Sequence, residues 1–403
     1  MKILVVATKA PWPPLDGGRL LLLHTLEGLA AAGHQLTLVA PVDPARFDLG
    51  SVACALRPLA VPHLVAAPPL GRFAALVGAG DFGLPLSVAR HSLPTVWREV
   101  ERLLATETFD LVHAEQLQAL SQVPRQSLKR STPAMPPVVL RAQNVESTLW
   151  SATARRRGGI AGALLGIEAR RLAVWEGRAV QRAAATIALT PEDAARLAEL
   201  AGSAGMGKVR VVAAPFPPSL PAAGTTLPGD PAVVVLGSAG WLPNADSVAW
   251  FRSAVWPVVR AALPAAALHL FGAQDLGEPS AGITVHPSPQ DSADAFPPGA
   301  LLAVPVRIAS GVRMKILEAW ARGVPVVGTP EAVSGLGAEP GRELLVAEDP
   351  AGFAAALTRL HREPALAGSL VAAGRAALRG RHDPAAVTAR LAAIYGEVSS
   401  GRR

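Results

Sequence analysis

Short runs of apolar and β-branched residues alternate along the chain with longer segments whose apolar residues recur at helical spacing. The strand candidates of the first half are residues 2–8, 35–40, 109–114, 137–142, 186–190 and 208–213. Those of the second half are residues 232–238, 267–273, 282–287, 300–306, 324–330 and 343–349. Because strands alternate with helices, the pattern predicts parallel βαβ units and an α/β fold of Rossmann-like, doubly wound domains.

A segment rich in proline and glycine, residues 215–230, separates the two halves and has neither a strand nor a helix period. The chain of 403 residues also exceeds the size at which one core stops growing. We therefore predict an N-terminal domain over 1–214, a linker over 215–230 and a C-terminal domain over 231–382. Residues 383–403 have helical spacing with Pro384 in the first turn, and we expect a helix that packs back toward the N-terminal domain.

The formal net charge of +7 suits phosphate-bearing ligands, an anionic membrane surface or nucleic acid, and it also fits a solvated, arginine-rich surface. No basic run is interleaved with stacking aromatic residues, and the chain has one tyrosine. Nucleic acid is therefore not an expected partner.

Several chemistries lack their sequence signals. The single cysteine, Cys54, excludes an internal disulfide and a zinc site built on thiolates, and we expect it to be buried as a small apolar residue. The nine histidines show no metal-ligand spacing, no Walker motif occurs, and Gly335-Leu336-Gly337 lacks the third glycine of a dinucleotide site. We expect neither a metal ion nor another cofactor.

The chain shows no secretory signal pattern and no uninterrupted apolar run of membrane-spanning length, so we expect a cytoplasmic protein. Peripheral membrane contact stays open because basic residues lie at 155–157 and at Arg170, Arg171, Arg178 and Arg182. Their apolar neighbours suit either core packing or an interfacial helix, and we favour core packing. Those neighbours are Leu164, Leu165, Ile167, Leu172, Val174 and Trp175.

The segment 310–330 carries the clearest chemical signal. Ser310 and Gly311 suit the cap of a helix that runs to Gly323. Arg313 and Lys315 fall in the first turn, where the helix dipole disfavours cations, so a bound anion would remove the conflict. This predicts a phosphate site. Three residues further on, Glu318 suits hydrogen bonds from ribose hydroxyls, or equally an ion pair with Lys315 on a solvated helix.

The same segment resembles part of the signature of the large family four of retaining glycosyltransferases, a Glu-x7-Glu motif followed by Ala and a Gly-x-Pro-Val-Val turn. Glu318-Ala319 and residues 323–327 match its second half, and Ser310 stands in place of the first Glu. The form Ser-Gly-x-Arg-x-Lys resembles a subgroup in which that Glu is commonly absent. The role of the missing carboxylate is then unfilled.

Further segments extend the resemblance over nearly the whole chain. Residues 13–19, with Gly17 and Gly18, and residues 237–244, with Gly240, resemble loops that the family places beside the donor. Residues 144–146 and the downstream Glu168 to Glu176 resemble its first-domain pattern. Two departures are a missing Pro-Asn-Gly turn, replaced by residues 213–215, and a missing Arg/Lys pair near Trp241.

His113 ends a predicted strand and is followed by Glu115. The family places a histidine there, near the transferred sugar, and ligands meet parallel sheets at the carboxyl ends of strands. A lone histidine at a strand end also has a purely structural interpretation.

The resemblance implies the GT-B fold, with two Rossmann-like domains facing a cleft, and transfer from a nucleoside-diphosphate sugar with retention of configuration. The acceptor would be a glycan or a lipid-linked precursor of an envelope or secreted polysaccharide. Catalytic roles fall to His113, Arg313 and Lys315, and donor binding to Gly17, Gly18, Gly240, Ser310, Gly311, Arg313, Lys315 and Glu318. Two alternatives are a nucleotide-sugar epimerase of the same fold and a non-catalytic nucleotide-sugar-binding partner.

Overall fold

The computed structural model describes residues 1–68, 71, 83–124, 135–221, 224, 226–237, 242–272, 281–289 and 292–401. The chain divides into two compact units. The first comprises Met1–Pro215 together with Pro384–Arg403, and the second comprises Phe216–Asp383. Each is an α/β unit around a parallel sheet, as the alternating pattern predicted.

The first unit contains seven parallel strands in the order β3-β2-β1-β4-β5-β6-β7. The strands are β1 (Lys2–Ala7), β2 (Gln35–Val42), β3 (Val61–Ala66), β4 (Leu111–Glu115), β5 (Val138–Ala142), β6 (Ala185–Ala188) and β7 (Val209–Val211). The helices are α1 (Gly17–Ala31), α2 (Leu49–Leu56), α3 (Leu86–Ala89), α4 (Pro94–Thr106), α5 (Glu146–Arg157), α6 (Gly159–Arg182) and α7 (Pro191–Ala201).

Side chains of this sheet alternate between two cores, as the two-residue period of a strand requires. Ile3 and Val5 pack on one face with α1, and Leu4 and Val6 pack on the other with α4 and α6. Helices therefore cover both faces. The edge strand β3 was not predicted, because its residues are half-exposed and Pro62 interrupts the apolar run.

The second unit contains six parallel strands in the order β10-β9-β8-β11-β12-β13. The strands are β8 (Ala232–Leu236), β9 (Ala267–Phe271), β10 (Ile283–His286), β11 (Leu301–Val304), β12 (Val326–Gly328) and β13 (Leu345–Val346). The helices are α8 (Leu242–Trp250), α9 (Trp256–Ala262), α10 (Met314–Arg322), α11 (Pro330–Val333), α12 (Pro350–Arg362) and α13 (Pro364–Arg381). Residues of the proline-rich segment pack on this unit, since Leu220 N donates to Ala321 O at 3.1 Å.

The last helix, α14 (Pro384–Ser400), belongs to the first unit. Leu391 and Ile394 join the core under α1, and Tyr395 is fully buried there. Contact between the helices is close, because a Cβ on Gly28 of α1 would lie 2.1 Å from Thr388 Oγ1. The C-terminal helix thus completes one core of the first unit.

One expectation about burial was wrong, and a second held only in part, since Leu172 is buried and Trp175 packs against a core. Cys54 is exposed, because α2 buries Val52 and Leu56, and Cys54 lies on the opposite side of that helix. Leu164, Ile167 and Val174 of α6 are more than half exposed instead of packed in a core, whereas Leu172 is buried. The buried residues of α6 lie mostly in its C-terminal half. Among the described residues, none of the helices has the length and apolar character needed to cross a bilayer.

Candidate functional site

A buried ion pair lies where β4 and β5 end in the first unit. The register places Glu115 of β4 beside Arg141 of β5, and both residues are at most 3% exposed. The guanidinium of Arg141 donates to both carboxylate oxygens of Glu115, with Nε 3.0 Å from Oε1. Its Nη1 donates to Thr25 Oγ1 of α1 at 2.6 Å. Strand ends and α1 are thereby fixed to each other.

His113 lies one pleat earlier on β4 and is 1% exposed. Its Nε2 is 2.9 Å from Glu115 Oε2, and its Nδ1 is 2.5 Å from the hydroxyl of Tyr395 in α14. Burial lowers the pKa of His113, so the imidazole is neutral near pH 7. A neutral ring fits these contacts if Nε2–H donates to the carboxylate and Tyr395 donates to Nδ1.

This burial leaves His113 without the surface that a direct contact with a sugar requires, because both of its ring nitrogens are engaged inside the core. The purely structural interpretation of the histidine therefore agrees better with the geometry. Burial alone would raise the pKa of Glu115, but the charge of Arg141 and the hydrogen bond with His113 lower it to about 2. Glu115 is thus a permanent anion that orients its neighbours.

Two glutamines extend this network toward the end of the sheet. Gln143 Nε2 donates to Glu115 Oε1 at 2.7 Å, and Gln116 Nε2 donates to Gln143 Oε1 at 2.8 Å. Thr8 donates its hydroxyl to Gln116 Oε1. Gln116 has a φ of 75°, the only positive φ at a non-glycine among the described residues. Such strained backbone persists where the surroundings hold it, and it is common at functional sites.

The loop with the paired glycines lies directly against these glutamines. Asp16 caps α1 by accepting a hydrogen bond from Arg19 N at 3.0 Å, and Gly17 begins the helix. A Cβ on Gly18 would lie 2.8 Å from Gln143 Oε1 and 3.3 Å from Gln116 Nε2. Residues Ala7, Thr8, Lys9, Gly18, Arg19, Leu22, Glu115, Gln116 and Gln143 line a small recess. The glycine loop and the strand ends therefore form one polar site.

In the second unit, the segment before α10 differs from its prediction. The helix begins at Met314, so Ser310 and Gly311 are not its cap, and Arg313 occupies the N-cap position without a side-chain cap bond. Gly311 has a φ of 70°, a left-handed turn that delays the helix. Arg313, 9% exposed, donates through Nη2 to the carbonyl of Ser310. At the other end, Gly323 is the left-handed cap that was expected.

Lys315 lies in the first turn of α10, as predicted. Its Nζ donates at 2.6 Å to the carbonyl of Leu236, the last residue of β8. Burial, and then the charge of Arg313, lowers the pKa of Lys315 to about 8. Both effects disfavour the ammonium form, so an anion near Lys315 would stabilise the charged side chain.

Glu318 is 6% exposed, and its partners do not include Lys315, which the sequence offered as an alternative to ribose. Its Oε1 accepts from Ser292 Oγ at 2.5 Å and from Arg322 Nε at 3.0 Å. Arg322 also donates to Pro221 O at 2.7 Å. The carboxylate therefore belongs to a buried polar cluster. The alternative prediction of a solvated ion pair between Glu318 and Lys315 was wrong. Gly240 lies outside the described residues.

Family models match both halves of the chain. Residues 16–215 match the model described as a glycosyl transferase 4-like domain, and residues 230–363 match the one described as glycosyl transferases group 1. The protein is a glycosyltransferase. A search of curated proteins by sequence finds no match.

Solved structures show which fold the glycosyltransferase adopts. Sucrose-phosphate synthase of Thermosynechococcus elongatus matches with a TM-score of 0.70 and 15% identity over 99% of both chains. Anabaena HepE, solved with UDP-glucose, matches with a TM-score of 0.62 and 14% identity over 98% of this chain and all of that one. A glycosyltransferase of Rickettsia africae matches with a TM-score of 0.59 and 10% identity over 98% of each chain. The fold is GT-B, with two Rossmann-like domains.

Sequence reasoning about this glycosyltransferase did not single out Arg141, Gln116, Gln143 or Arg307. Arg307 follows β11, and its guanidinium lies 5.0 Å from the ring centre of Trp250 and 3.9 Å from Asp246 Oδ2. The sequence did contain one signal for the two glutamines. Gln116 directly follows β4 and Gln143 directly follows β5, and ligands meet Rossmann-like domains at the carboxyl ends of such strands.

Proposed function

We propose that this glycosyltransferase moves a hexose-type sugar from a nucleoside-diphosphate sugar to a hydroxyl of a glycan or lipid-linked saccharide, with retention of configuration. The observation that carries the proposal is the pair of cationic side chains at the start of α10. Arg313 is nearly buried, and Lys315 is held at the end of β8 with a lowered pKa. Two cations that repel each other at a helix N-terminus suit a diphosphate.

The diphosphate is also where negative charge grows as the sugar leaves. Fixed cations and helix N–H groups stabilise such charge without a metal ion, so we propose that the enzyme needs neither a metal nor another cofactor. Ser310 and Gly311 contribute backbone close to Arg313. Gly240 is proposed as a further donor contact from its motif alone.

Glu318 is proposed to hold the nucleotide ribose. A carboxylate accepts up to about four hydrogen bonds, so its contacts with Ser292 and Arg322 leave capacity for a ribose hydroxyl. Arg322 and Ser292 would keep the carboxylate oriented. HepE was solved with UDP-glucose, and a UDP-hexose is therefore the first donor to test.

In the first unit, Gln116, Gln143 and Thr8 are proposed to bind sugar hydroxyls. Amides and hydroxyls both donate and accept, which is what recognition of a sugar requires. Gly17 and Gly18 would let the sugar approach the backbone of the loop. Glu115 and His113 act behind these groups as positioning residues, since Glu115 orients the amide of Gln143.

Donor binding tests the proposal directly. We would measure thermal unfolding of the wild type and of Arg313→Ala with UDP, GDP, ADP, TDP and their sugars, because a ligand that binds the folded state raises its stability. Arg342→Ala is the matched control, since Arg342 is exposed and forms a surface ion pair with Glu339 at 2.9 Å. We expect one nucleotide to stabilise the wild type and the control, but not Arg313→Ala.

Measurement of turnover then distinguishes a transferase from the two alternatives, an epimerase and a non-catalytic binding partner. Incubation with the stabilising donor and candidate acceptors should give a glycoside whose anomeric configuration, read by NMR, equals that of the donor. Sugar isomerised without an acceptor would overturn transfer in favour of an epimerase. Donor binding with no turnover on any acceptor would favour a binding partner. A glycoside of inverted anomeric configuration would refute retention but not transfer.

A further inference from the structure

Helices α5 and α6 form a hairpin on the first unit. Gly158 and Gly159, both with positive φ near 60°, make the tight turn between them. The helices touch near this turn, because a Cβ on Gly162 would lie 2.7 Å from Ala154 O. The end of α5 and the start of α6 therefore form the tip of one helical hairpin.

An apolar stripe runs along the outer face of α6. Ile160, Leu164, Ile167 and Val174 are 83%, 62%, 53% and 55% exposed. At about 100° per residue the four side chains fall within an arc of about 80°, so they share one face of the helix. They account for half of the eight large apolar residues with comparable exposure in the described part of the chain. An apolar face of this kind marks an interaction surface.

The charges around the stripe have one sign. Between Glu146 and Arg182 the sequence has seven arginines and three glutamates. Glu168 and Glu176 are at most 4% exposed, and Glu146 is half-buried, whereas residues 155–157, Arg170 and Arg178 are exposed. The surface beside Ile160 and Leu164 is therefore cationic.

We infer that this surface docks the enzyme on an anionic membrane. Exposed aliphatic side chains on one helical face, flanked by arginines and free of exposed carboxylates on the same hairpin, match an interface that offers acyl chains and anionic headgroups together. A second copy of the chain fits less well, because pairing the same surface across a two-fold axis would bring arginine clusters together. Attachment of this kind would hold the enzyme where lipid-linked acceptors are found.

Vesicle sedimentation tests the inference with the full chain and without donor or acceptor, so its result is independent of the transferase proposal. The wild type should bind vesicles of phosphatidylcholine with about one-third phosphatidylglycerol, and bind pure phosphatidylcholine at least about tenfold more weakly. Ile160→Ser combined with Leu164→Ser should weaken binding to the anionic vesicles by about tenfold or more. Arg155→Gln, Arg156→Gln and Arg157→Gln combined should do the same.

The matched control is Val61→Ser combined with Met206→Ser, two residues that are 60% and 79% exposed elsewhere on the first unit. It should bind anionic vesicles like the wild type, and all variants should keep the wild-type unfolding midpoint. Equal binding to both vesicle types, equal loss in the control, or no vesicle binding at all would overturn the inference. A concentration-dependent dimer that Ile160→Ser and Leu164→Ser dissociate would assign the surface to a second copy instead.

Discussion

The hydroxyl of Tyr395 lies 2.5 Å from Nδ1 of His113, although 282 positions separate the two residues. The bond joins the last helix to the fourth strand of the first sheet. Through His113 it continues to Glu115 and Arg141. The C-terminal helix is therefore connected to the polar site by an unbroken chain of buried hydrogen bonds.

Tyr395→Phe removes only the hydroxyl of this bond and should destabilise the first unit by about 1–3 kcal/mol, because His113 Nδ1 then lies buried without its donor. Urea unfolding followed by tryptophan fluorescence measures the change. Tyr395→Leu should cost more, since it also leaves a cavity. Equal unfolding midpoints for wild type and Tyr395→Phe would show that the bond contributes nothing.

The pKa of Glu115 predicts a loss of stability in acid. Folding lowers this pKa from 4.5 to about 2, so the stabilisation is complete above pH 4.5 and is lost as the pH falls toward 2. The difference corresponds to about 3 kcal/mol. Glu115→Gln should be less stable near neutral pH but lose less on acidification, so the two curves of unfolding free energy converge. Parallel curves from urea titrations would contradict this.

The pKa of Glu176 predicts a loss of stability as the pH rises, the opposite of the trend for Glu115. Burial and then repulsion from Glu146 raise the pKa of Glu176 from 4.5 to about 7, so stability is lost as the pH rises through that interval. Glu176→Gln should match the wild type near pH 4.5 and exceed it by about 1–3 kcal/mol near pH 8. Urea unfolding at both pH values measures the difference, and a variant that is less stable near pH 8 would refute the assignment.

Most strands could be predicted from the sequence because buried parallel strands carry apolar runs, such as residues 2–8 and 232–238. The exposed edge strand β3 carries no such run. Arg141 could not be assigned from sequence, because only the register of β4 beside β5 brings it to Glu115. Local rules also misplaced the start of α10, where the left-handed turn at Gly311 competes with Ser310 as a cap.

Periodicity likewise shows that α6 has an apolar stripe but not whether anything covers it. Exposure of Ile160 and Leu164 depends on how far the helix extends beyond its neighbours, which is a tertiary property. The burial of His113 is likewise a tertiary property. The sequence motif placed His113 at a strand end, and only the packing of Tyr395 against it shows that its ring lies in the core.

Lys315 predicts a pH limit on donor binding. Its pKa of about 8 means that the ammonium is lost as the pH rises above that value, and a bound diphosphate would raise the pKa. The dissociation constant of the donor should therefore increase by up to about tenfold per pH unit above 8. Lys315→Arg should flatten this dependence, because a guanidinium stays charged. Calorimetric titrations between about pH 7 and 9 measure this dissociation constant. A value that does not change with pH in the wild type would argue against contact between Lys315 and the phosphates.

Two glycines of α1 separate a functional effect from a structural one. Gly18→Ala should lower the transfer rate by about tenfold or more with little change in stability. Its Cβ would push on Gln143 Oε1 at 2.8 Å and on Gln116 Nε2 at 3.3 Å, both at the ends of flexible side chains. Steady-state kinetics and thermal unfolding on the same preparation give both quantities.

Gly28→Ala is the counterpart on the same helix, ten residues further on. Its Cβ would lie 2.1 Å from Thr388 Oγ1, so α1 and α14 must separate, and we expect about 1–3 kcal/mol of destabilisation. Thr388→Ala removes that hydroxyl, and the double variant should regain most of the loss because the next atom, Thr388 Cβ, is 3.3 Å away. If Gly18→Ala unfolded as early as Gly28→Ala, its kinetic defect would reflect lost packing, and the assignment of Gln116 and Gln143 to sugar binding would lose this support.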